Sequence, residues 1–327
     1  MPVVSSVVPR AATFFRGLFV SSPRANRAVR TLLLISAALY ALEFAVCLIF
    51  FAQISTPFFA LPIPTLINGE ESFLYAHSII RQYGFFVIQL SLLAVFAATE
   101  PVRYRNLIRV LALTRLLMAG LGLYAFTQGE LTLAQIIPAC AIDITLAALL
   151  LRYAPTEIFT HTKEAELAIL SQKKRFGIML SPWLQRFSIQ TMCLVAGVLW
   201  VLWGLGSTVF WEIGVANISS DGTAEMNLLN AMQANHIVRN QQGVMLFGIG
   251  LATMLGAYFP LSHLRILEFV MAQQIINALS AVIELLFGSI LFPQFLTVFS
   301  VQAITLLLFY VLYPKQQVSV AIQSDTK

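Results

Sequence analysis

The chain has 327 residues, of which 58% are hydrophobic and 11% charged, and its net charge at pH 7 is +5. Its mean hydropathy of +0.81 is far above that of soluble globular domains. The sequence therefore predicts an all-α integral membrane protein. A nucleic-acid partner is not expected, because the basic residues cluster in the loops that set membrane topology.

Eight apolar segments approach or reach the length of a transmembrane helix. The second and sixth are the shortest, so their ends are the least well defined. In chain order we predict transmembrane helices at 31–53, 84–99, 106–127, 131–151, 189–210, 243–259, 266–287 and 291–313.

The basic residues predict the orientation, because short loops rich in Lys and Arg stay in the cytosol. Such residues precede the first span, lie between spans two and three, and lie between spans four and five. Both termini are therefore predicted to be cytosolic. The predicted cytosolic parts are a basic N-terminus at 1–30, a linker at 154–187 and a tail at 315–327.

The two halves of the chain align with each other without a gap when the sequence is shifted by 159 residues. This shift places His77 on His236, and the further matches are Gln82 on Gln241, Gly84 on Gly243, Pro101 on Pro260, Gly129 on Gly288 and Gln135 on Gln294. A shift of 160 extends the match to the first span. We therefore predict two tandem four-helix units, 31–153 and 188–314. Their even span number makes the repeat parallel, about an axis along the membrane normal.

Two similar stretches precede short apolar runs: AHSIIRQYG at 76–84 and NHIVRNQQG at 235–243. His77 and Arg81 share one helical face, as do His236 and Arg239. These two arginines are the only cations on the predicted outer face. In one interpretation the arginines snorkel to the interface and the glycines permit close helix packing. In the other, each His–Arg pair caps a cavity and binds the polar end of a substrate.

Asn217 begins an Asn-Ile-Ser triplet on the predicted lumenal face and is a candidate glycosylation site. The protein is predicted to cross a membrane several times, and the endoplasmic reticulum is one candidate compartment. Three cysteines fall inside predicted spans, where they are expected to act as small apolar residues. No disulfide framework or metal-binding spacing is visible.

Ionisable residues inside spans are costly and are therefore functional candidates. Glu43 lies near the middle of span one, Asp143 near the middle of span four, and Glu284 in the outer third of span seven. A carboxyl group surrounded by apolar side chains would stay neutral and could donate a proton. Arg115 lies nearer the cytosolic end of span three, so we expect it to snorkel.

Span seven also carries a polar stripe, formed by Gln273, Asn277, Ser280 and Glu284 at spacings of four, three and four. The aligned positions in the first unit are mainly apolar, so only the second unit has the stripe. In one interpretation the amides hydrogen-bond to neighbouring helices and hold them together. In the other, Asn277 and Gln273 orient the acid or bind the substrate.

The motifs RQYG and RNQQG, each opening the second helix of a four-helix unit, resemble the DoxX-like membrane proteins. The size, hydrophobicity and few intramembrane acids resemble the integral-membrane terpene cyclases of fungal meroterpenoid pathways. The second resemblance implies secondary metabolism and cyclisation started by an acid that protonates an olefin or epoxide. No catalytic position follows from it.

The leading hypothesis is thus a membrane enzyme that cyclises or isomerises a lipophilic prenylated or terpenoid substrate. Glu284, Asp143 or Glu43 would supply the proton, and the aromatic side chains would stabilise the cation. No metal, nucleotide or other cofactor is expected. The alternative is a non-catalytic membrane subunit or a lipid or quinone carrier, with a haem between His77 and His236 as a special case. The sequence does not identify protein partners, and membrane lipid is expected to surround the helices.

Overall fold

The structure is a computed structural model that describes residues 24–49, 70–129, 131–156, 182–209, 236–258, 263–287 and 290–313. These residues form helices and short turns, and none of them lies in a strand. The helices are α1 (Arg24–Ile49), α2 (Glu70–Thr99), α3 (Arg105–Thr127), α4 (Leu133–Tyr153), α5 (Pro182–Val209), α6 (His236–Tyr258), α7 (Leu264–Leu286) and α8 (Phe292–Leu312).

Seven of these eight helices are long and apolar enough to cross a membrane, as expected for a multi-pass membrane protein. The exception among the described helices is α6, which corresponds to the predicted span 243–259. It starts with His, Arg and several amide residues, so the apolar part of the described helix is too short to qualify. It also packs against α2, α3, α5 and α7, and therefore needs less apolar surface toward lipid.

Four predicted spans start later than the helices in the structure: the predicted starts at 31, 84, 189 and 243 correspond to α1, α2, α5 and α6, which begin at Arg24, Glu70, Pro182 and His236. The predicted span 84–99 lies within a longer helix, α2, which also includes Arg81. Helix α1 begins at Arg24, which is before the start of the predicted span 31–53. In all four cases the predicted span begins just after an arginine that belongs to the helix, although α-helices tolerate arginine well.

The polarity of the bundle is inverted relative to a soluble protein. Large apolar side chains such as Leu199, Trp203 and Leu307 are exposed on its outside. Arg115 and Gln273 are buried inside it. Lipid provides an apolar surrounding for the outer faces, so the polar side chains must find partners within the protein.

The two halves of the bundle share one packing order. The first helix of each half packs against the second, and the third against the fourth, so that α1 pairs with α2 and α5 with α6. The second helices, α2 and α6, lie at the centre and contact each other. Two further contacts join the halves, α2 with α7 and α3 with α6.

Helices α1 and α2 approach each other closely where Ser91 Oγ donates a hydrogen bond to the carbonyl oxygen of Ala37, at 2.8 Å. Helices α5 and α6 do so where a Cβ on Gly250 would lie only 2.7 Å from the carbonyl oxygen of Gly197. Ser91 and Gly250 align under the shift of 159, and Ala37 and Gly197 under the shift of 160. The two helix pairs therefore cross at aligned positions.

The ends of these helix pairs also match. Arg30 Nη2 donates to the carbonyl oxygen of Thr99 at 3.1 Å, which joins α1 to the end of α2. Gln190 Nε2 donates to the carbonyl oxygen of Ala257 at 3.0 Å, which joins α5 to the end of α6. Each bond uses one of the carbonyl groups that a helix C-terminus leaves without an intrahelical partner.

The fourth helix of each half begins with the same cap. Gln135 Oε1 accepts a hydrogen bond from the Thr132 backbone N–H at 2.8 Å, and Gln294 Oε1 accepts one from the Leu291 backbone N–H at 2.8 Å. The turn before α4 contains Gly129 with a φ of 77°, the left-handed region that glycine adopts without a steric cost. Gly129 aligns with Gly288, which lies outside the described residues.

Candidate functional site

A buried ion pair joins α2 to α7. Arg81 Nε donates to Glu284 Oε1 and Arg81 Nη2 donates to Glu284 Oε2, both at 2.9 Å. The two side chains are only 8% and 3% exposed. The guanidinium also lies over the ring of Phe287, at 4.6 Å from its centre. This bidentate geometry is the strongest that arginine makes with a carboxylate.

The ion pair changes the interpretation of both residues. Arg81 does not snorkel to an interface, because its side chain is buried and directed at α7. Glu284 is not surrounded by apolar side chains alone, since two N–H donors face its two oxygens. A proton on Glu284 would displace one of these hydrogen bonds, so the geometry does not suit a proton donor.

The polar stripe of α7 continues along the same contact with α2. Gln89 Nε2 donates to Asn277 Oδ1 at 2.8 Å. Gln273 lies one helical turn from Asn277 on the same face and is 0% exposed. The predicted stripe thus faces the contact between the two halves of the bundle, where Glu284 and Asn277 bond to residues of α2.

A second cluster lies inside the first half. The Tyr83 hydroxyl donates a short hydrogen bond to Glu43 Oε1, which joins α2 to α1. Arg115 Nη1 donates to Asp143 Oδ1 at 2.5 Å, which joins α3 to α4. The Arg115 guanidinium also lies over the ring of Tyr40, at 4.3 Å from its centre. All four helices of this half thus contribute to one group of ionisable and aromatic side chains.

Glu43 belongs to this cluster by charge as well as by contact, because both Arg115 and Asp143 lie within electrostatic range of its carboxyl group. Tyr40 and Tyr83 are buried, and Glu43 is half-buried. We name Tyr40, Glu43, Tyr83, Arg115 and Asp143 the first-half cluster. It combines two carboxyl groups, one guanidinium and two phenol groups in an apolar surrounding.

Arg115 corrects a sequence-based expectation. It does not snorkel, since its side chain is 3% exposed and pairs with Asp143. An arginine and an aspartate in successive spans were the signal that could have predicted this contact, because charges inside a membrane pair with one another. In the second half the aligned residues are Gln274 and Gln302, so this half has no ion pair at the aligned place.

Helix α2 serves both sites. Arg81 and Tyr83 are two residues apart, which places them on roughly opposite faces of a helix. Arg81 accordingly contacts α7 in the other half, whereas Tyr83 contacts α1 in its own half. The sequence places the two residues in one motif, but the fold assigns them to different sites.

The remaining predicted residues are less informative. His77 and His236 lie in α2 and α6, but their side chains lie outside the described part of the structure, as does Asn217 entirely. Arg239 is half-buried on α6. Among the described residues, no group of three or more His, Cys, Asp or Glu side chains could hold a metal ion.

No family model matches this chain, and neither the curated proteins nor the solved structures compared with it include a match. The resemblances to DoxX-like proteins and to membrane terpene cyclases therefore stay predictions from the sequence.

Proposed function

We propose that the chain is a membrane enzyme that cyclises or isomerises a lipophilic prenylated or terpenoid substrate by protonating it. One observation carries the proposal: the first-half cluster has a carboxyl group, Glu43, beside a phenol hydroxyl and a partly buried ion pair inside an apolar bundle. Ionisable groups are kept in such surroundings at a cost, which favours a chemical role.

Glu43 is the best proton donor of the three predicted acids. Glu284 and Asp143 each accept a hydrogen bond from an arginine, whereas Glu43 accepts one from the Tyr83 hydroxyl. This bond occupies Oε1 and leaves Oε2 to carry a proton. Tyr83 would thereby hold the carboxyl group in one orientation, as a positioning partner does in general acid catalysis.

The reaction follows from these groups. The Glu43 proton passes to an olefin carbon or an epoxide oxygen, and a second double bond of the same molecule attacks the cation and closes a ring. Loss of a proton from the product cation gives an isomer of the substrate and allows Glu43 to be reprotonated. The ring face of Tyr83 is suited to stabilise the cation.

His77, His236 and Arg239 stay predicted ligands for the polar end of the substrate. Asn277 and Gln273 were predicted to orient the acid or bind the substrate. Their position between the halves separates them from Glu43, which faces α2 from α1. The enzyme proposal therefore uses the first-half cluster and does not depend on the α7 amides.

The proposed architecture is a tandem parallel repeat with both termini in the cytosol. The matched contacts of α1 with α2 and of α5 with α6, and the matched caps of α4 and α8, support the repeat. The proposed membrane is that of the endoplasmic reticulum. In cells that glycosylate proteins, Asn217→Gln should remove a glycan detectable as a mass shift on a gel; an unglycosylated wild type would count against this orientation.

A second candidate function is a non-catalytic subunit or a lipid or quinone carrier of the DoxX-like type. It is favoured by the ion pairs themselves, because Arg81–Glu284 and Arg115–Asp143 satisfy their own charges within the protein. Charges paired in this way can serve helix association alone.

The test compares membranes that contain the wild type, Glu43→Gln or Tyr83→Phe. Each is incubated with prenylated phenols and their epoxides, and isomeric cyclic products are sought by mass spectrometry. We expect Glu43→Gln to lower turnover by roughly 10²–10⁴-fold, the usual contribution of a general acid, and Tyr83→Phe to lower it less.

Glu268→Gln is the matched control. Glu268 is half-buried in α7 and accepts hydrogen bonds from Arg265 and Tyr313, which lie outside the first-half cluster. It should keep wild-type turnover. Wild-type turnover in Glu43→Gln would overturn the mechanism. Absence of product with the wild type across the panel would favour the carrier or subunit.

A further inference from the structure

Three amide side chains form a polar group between the halves of the bundle, on the opposite face of α2 from the first-half cluster. Gln89 and Gln273 are both 0% exposed. Gln89 is bonded to Asn277, and Gln273 lies one turn along α7 on the same face. We name Gln89, Gln273 and Asn277 the amide group.

The amide group has more hydrogen-bonding atoms than the described residues satisfy. Gln89 Oε1, Asn277 Nδ2 and both Gln273 Oε1 and Nε2 are buried and have no hydrogen-bond partner within the described parts of the chain. These atoms comprise two acceptors and two donors. Buried polar atoms of this kind destabilise a protein unless they bind something.

The contact between α3 and α6 shows that this position in the bundle does not require amides. There Thr114, which aligns with Gln273, donates its hydroxyl to the carbonyl oxygen of Val110 at 2.9 Å. Gly248, which aligns with Gln89, packs directly against Thr114. Small residues close this contact without unsatisfied groups, so the amide group has a reason other than packing.

The chemistry of the amide group selects its ligand. A hydroxyl group can donate to an amide oxygen and accept from an amide nitrogen at once, whereas a ketone can only accept. A charged ligand does not suit the site, because Arg81 and Glu284 already neutralise each other along the same contact. The outward-facing side chains Ile275 and Leu279 of α7 are exposed, which is appropriate to a helix that borders lipid.

We propose that Gln89, Gln273 and Asn277 form a binding site for the hydroxyl group of a lipophilic, uncharged molecule. The site is distinct from Glu43 and does not depend on the enzyme proposal. Membrane-borne phenols and long-chain alcohols share the required chemistry.

The experiment measures thermal unfolding of the full-length protein in phosphatidylcholine nanodiscs with 4-decylphenol, 1-tetradecanol or decylbenzene. A molecule that binds the native state raises Tm in proportion to RT ln(1 + [L]/Kd). We expect 4-decylphenol, 1-tetradecanol or both to raise the Tm of the wild type by several degrees, and decylbenzene to leave it unchanged. A shift with only one of the two would identify the class of hydroxyl compound.

The site variant is Gln273→Leu with Asn277→Leu, and Gln89→Leu alone is a milder second variant. Removing unsatisfied amides should leave the unliganded protein folded, while abolishing the shift in the double variant and reducing it in Gln89→Leu. Thr114→Val, the matched change at the other contact, should keep the wild-type shift. Glu43→Gln should also keep it, which separates failure of this site from failure of the enzyme proposal.

Two results would overturn the proposal. Equal shifts in the wild type and both site variants would mean that the probes act through the bilayer. The absence of a shift with every hydroxyl probe would mean that the amide group holds internal water only.

Discussion

Two helix contacts join the halves of the bundle at aligned positions, and they use different chemistry. Where α2 meets α7, a bidentate ion pair and an amide hydrogen bond connect the helices. Where α3 meets α6, small residues bring the backbones together, and a Cβ on Gly248 would lie only 2.2 Å from Thr114 Oγ1.

The difference shows two ways to associate helices inside a membrane. Lipid is as apolar as leucine, so burying apolar side chains between helices yields little free energy. Helices are held together instead by hydrogen bonds and ion pairs between polar side chains, or by the van der Waals contact that small residues allow. The contact of α2 with α7 uses the first way, and the contact of α3 with α6 uses the second.

The largest expected effect comes from breaking the ion pair. Arg81→Leu or Glu284→Leu alone should lower the free energy of unfolding by roughly 3–5 kcal/mol, because each leaves one buried charge without its partner. The measurement is reversible unfolding of the purified protein in mixed micelles. The double variant should be much closer to the wild type than the sum of the two single losses; a loss in the double variant equal to that sum would mean that the charges are not coupled.

A smaller effect is expected at the tightly packed contact. Gly248→Ala should cost roughly 1–3 kcal/mol, since the added Cβ overlaps the Thr114 side chain and the helices must separate. Thr114→Ala in the same protein should restore most of the loss, as measured by unfolding in the same micelles. If Gly248→Ala is as stable as the wild type, the close approach does not determine this contact.

The smallest effect is expected for the amide hydrogen bond. A double-mutant cycle with Gln89→Leu and Asn277→Leu should give a coupling free energy of about 0.6 kcal/mol, the average for hydrogen bonds between transmembrane helices. Thr114→Val combined with Asn277→Leu is the control cycle and should show no coupling, because these residues belong to different contacts. A coupling near zero for Gln89 and Asn277 would remove the amide bond from the forces that join the halves.

Much of the fold could be predicted from the sequence, because the length of an apolar segment is enough to identify a membrane-spanning helix. Each of the eight predicted spans corresponds to a described helix, although the starts of α1, α2, α5 and α6 were predicted too late. The glycine of the α3–α4 turn was also predictable, since a positive φ strongly favours glycine. Local rules of this kind depend on neighbouring residues and need no tertiary information.

The partners of the polar residues could not be predicted in this way. The sequence identified Glu43, Asp143 and Glu284 as intramembrane acids, but not that Arg81 would meet Glu284 from a helix 203 residues away in the chain. Nor did it separate Tyr83 from Arg81, which share a motif and serve different sites. Such contacts depend on how helices rotate and cross, and many arrangements bury the same residues.

The sequence by itself thus determined the class of protein, the places of the long described helices and the alignment of the two halves of the chain, because hydropathy and residue spacing are local properties. Only the tertiary structure decided which charges neutralise each other and which stay available for chemistry. It pairs Glu284 and Asp143 with arginines, leaves Glu43 with a tyrosine hydroxyl, and keeps four buried amide atoms of Gln89, Gln273 and Asn277 without a partner among the described residues. The physical reason is that the protonation and binding properties of a side chain inside a membrane depend on its partner, and the partner comes from another helix.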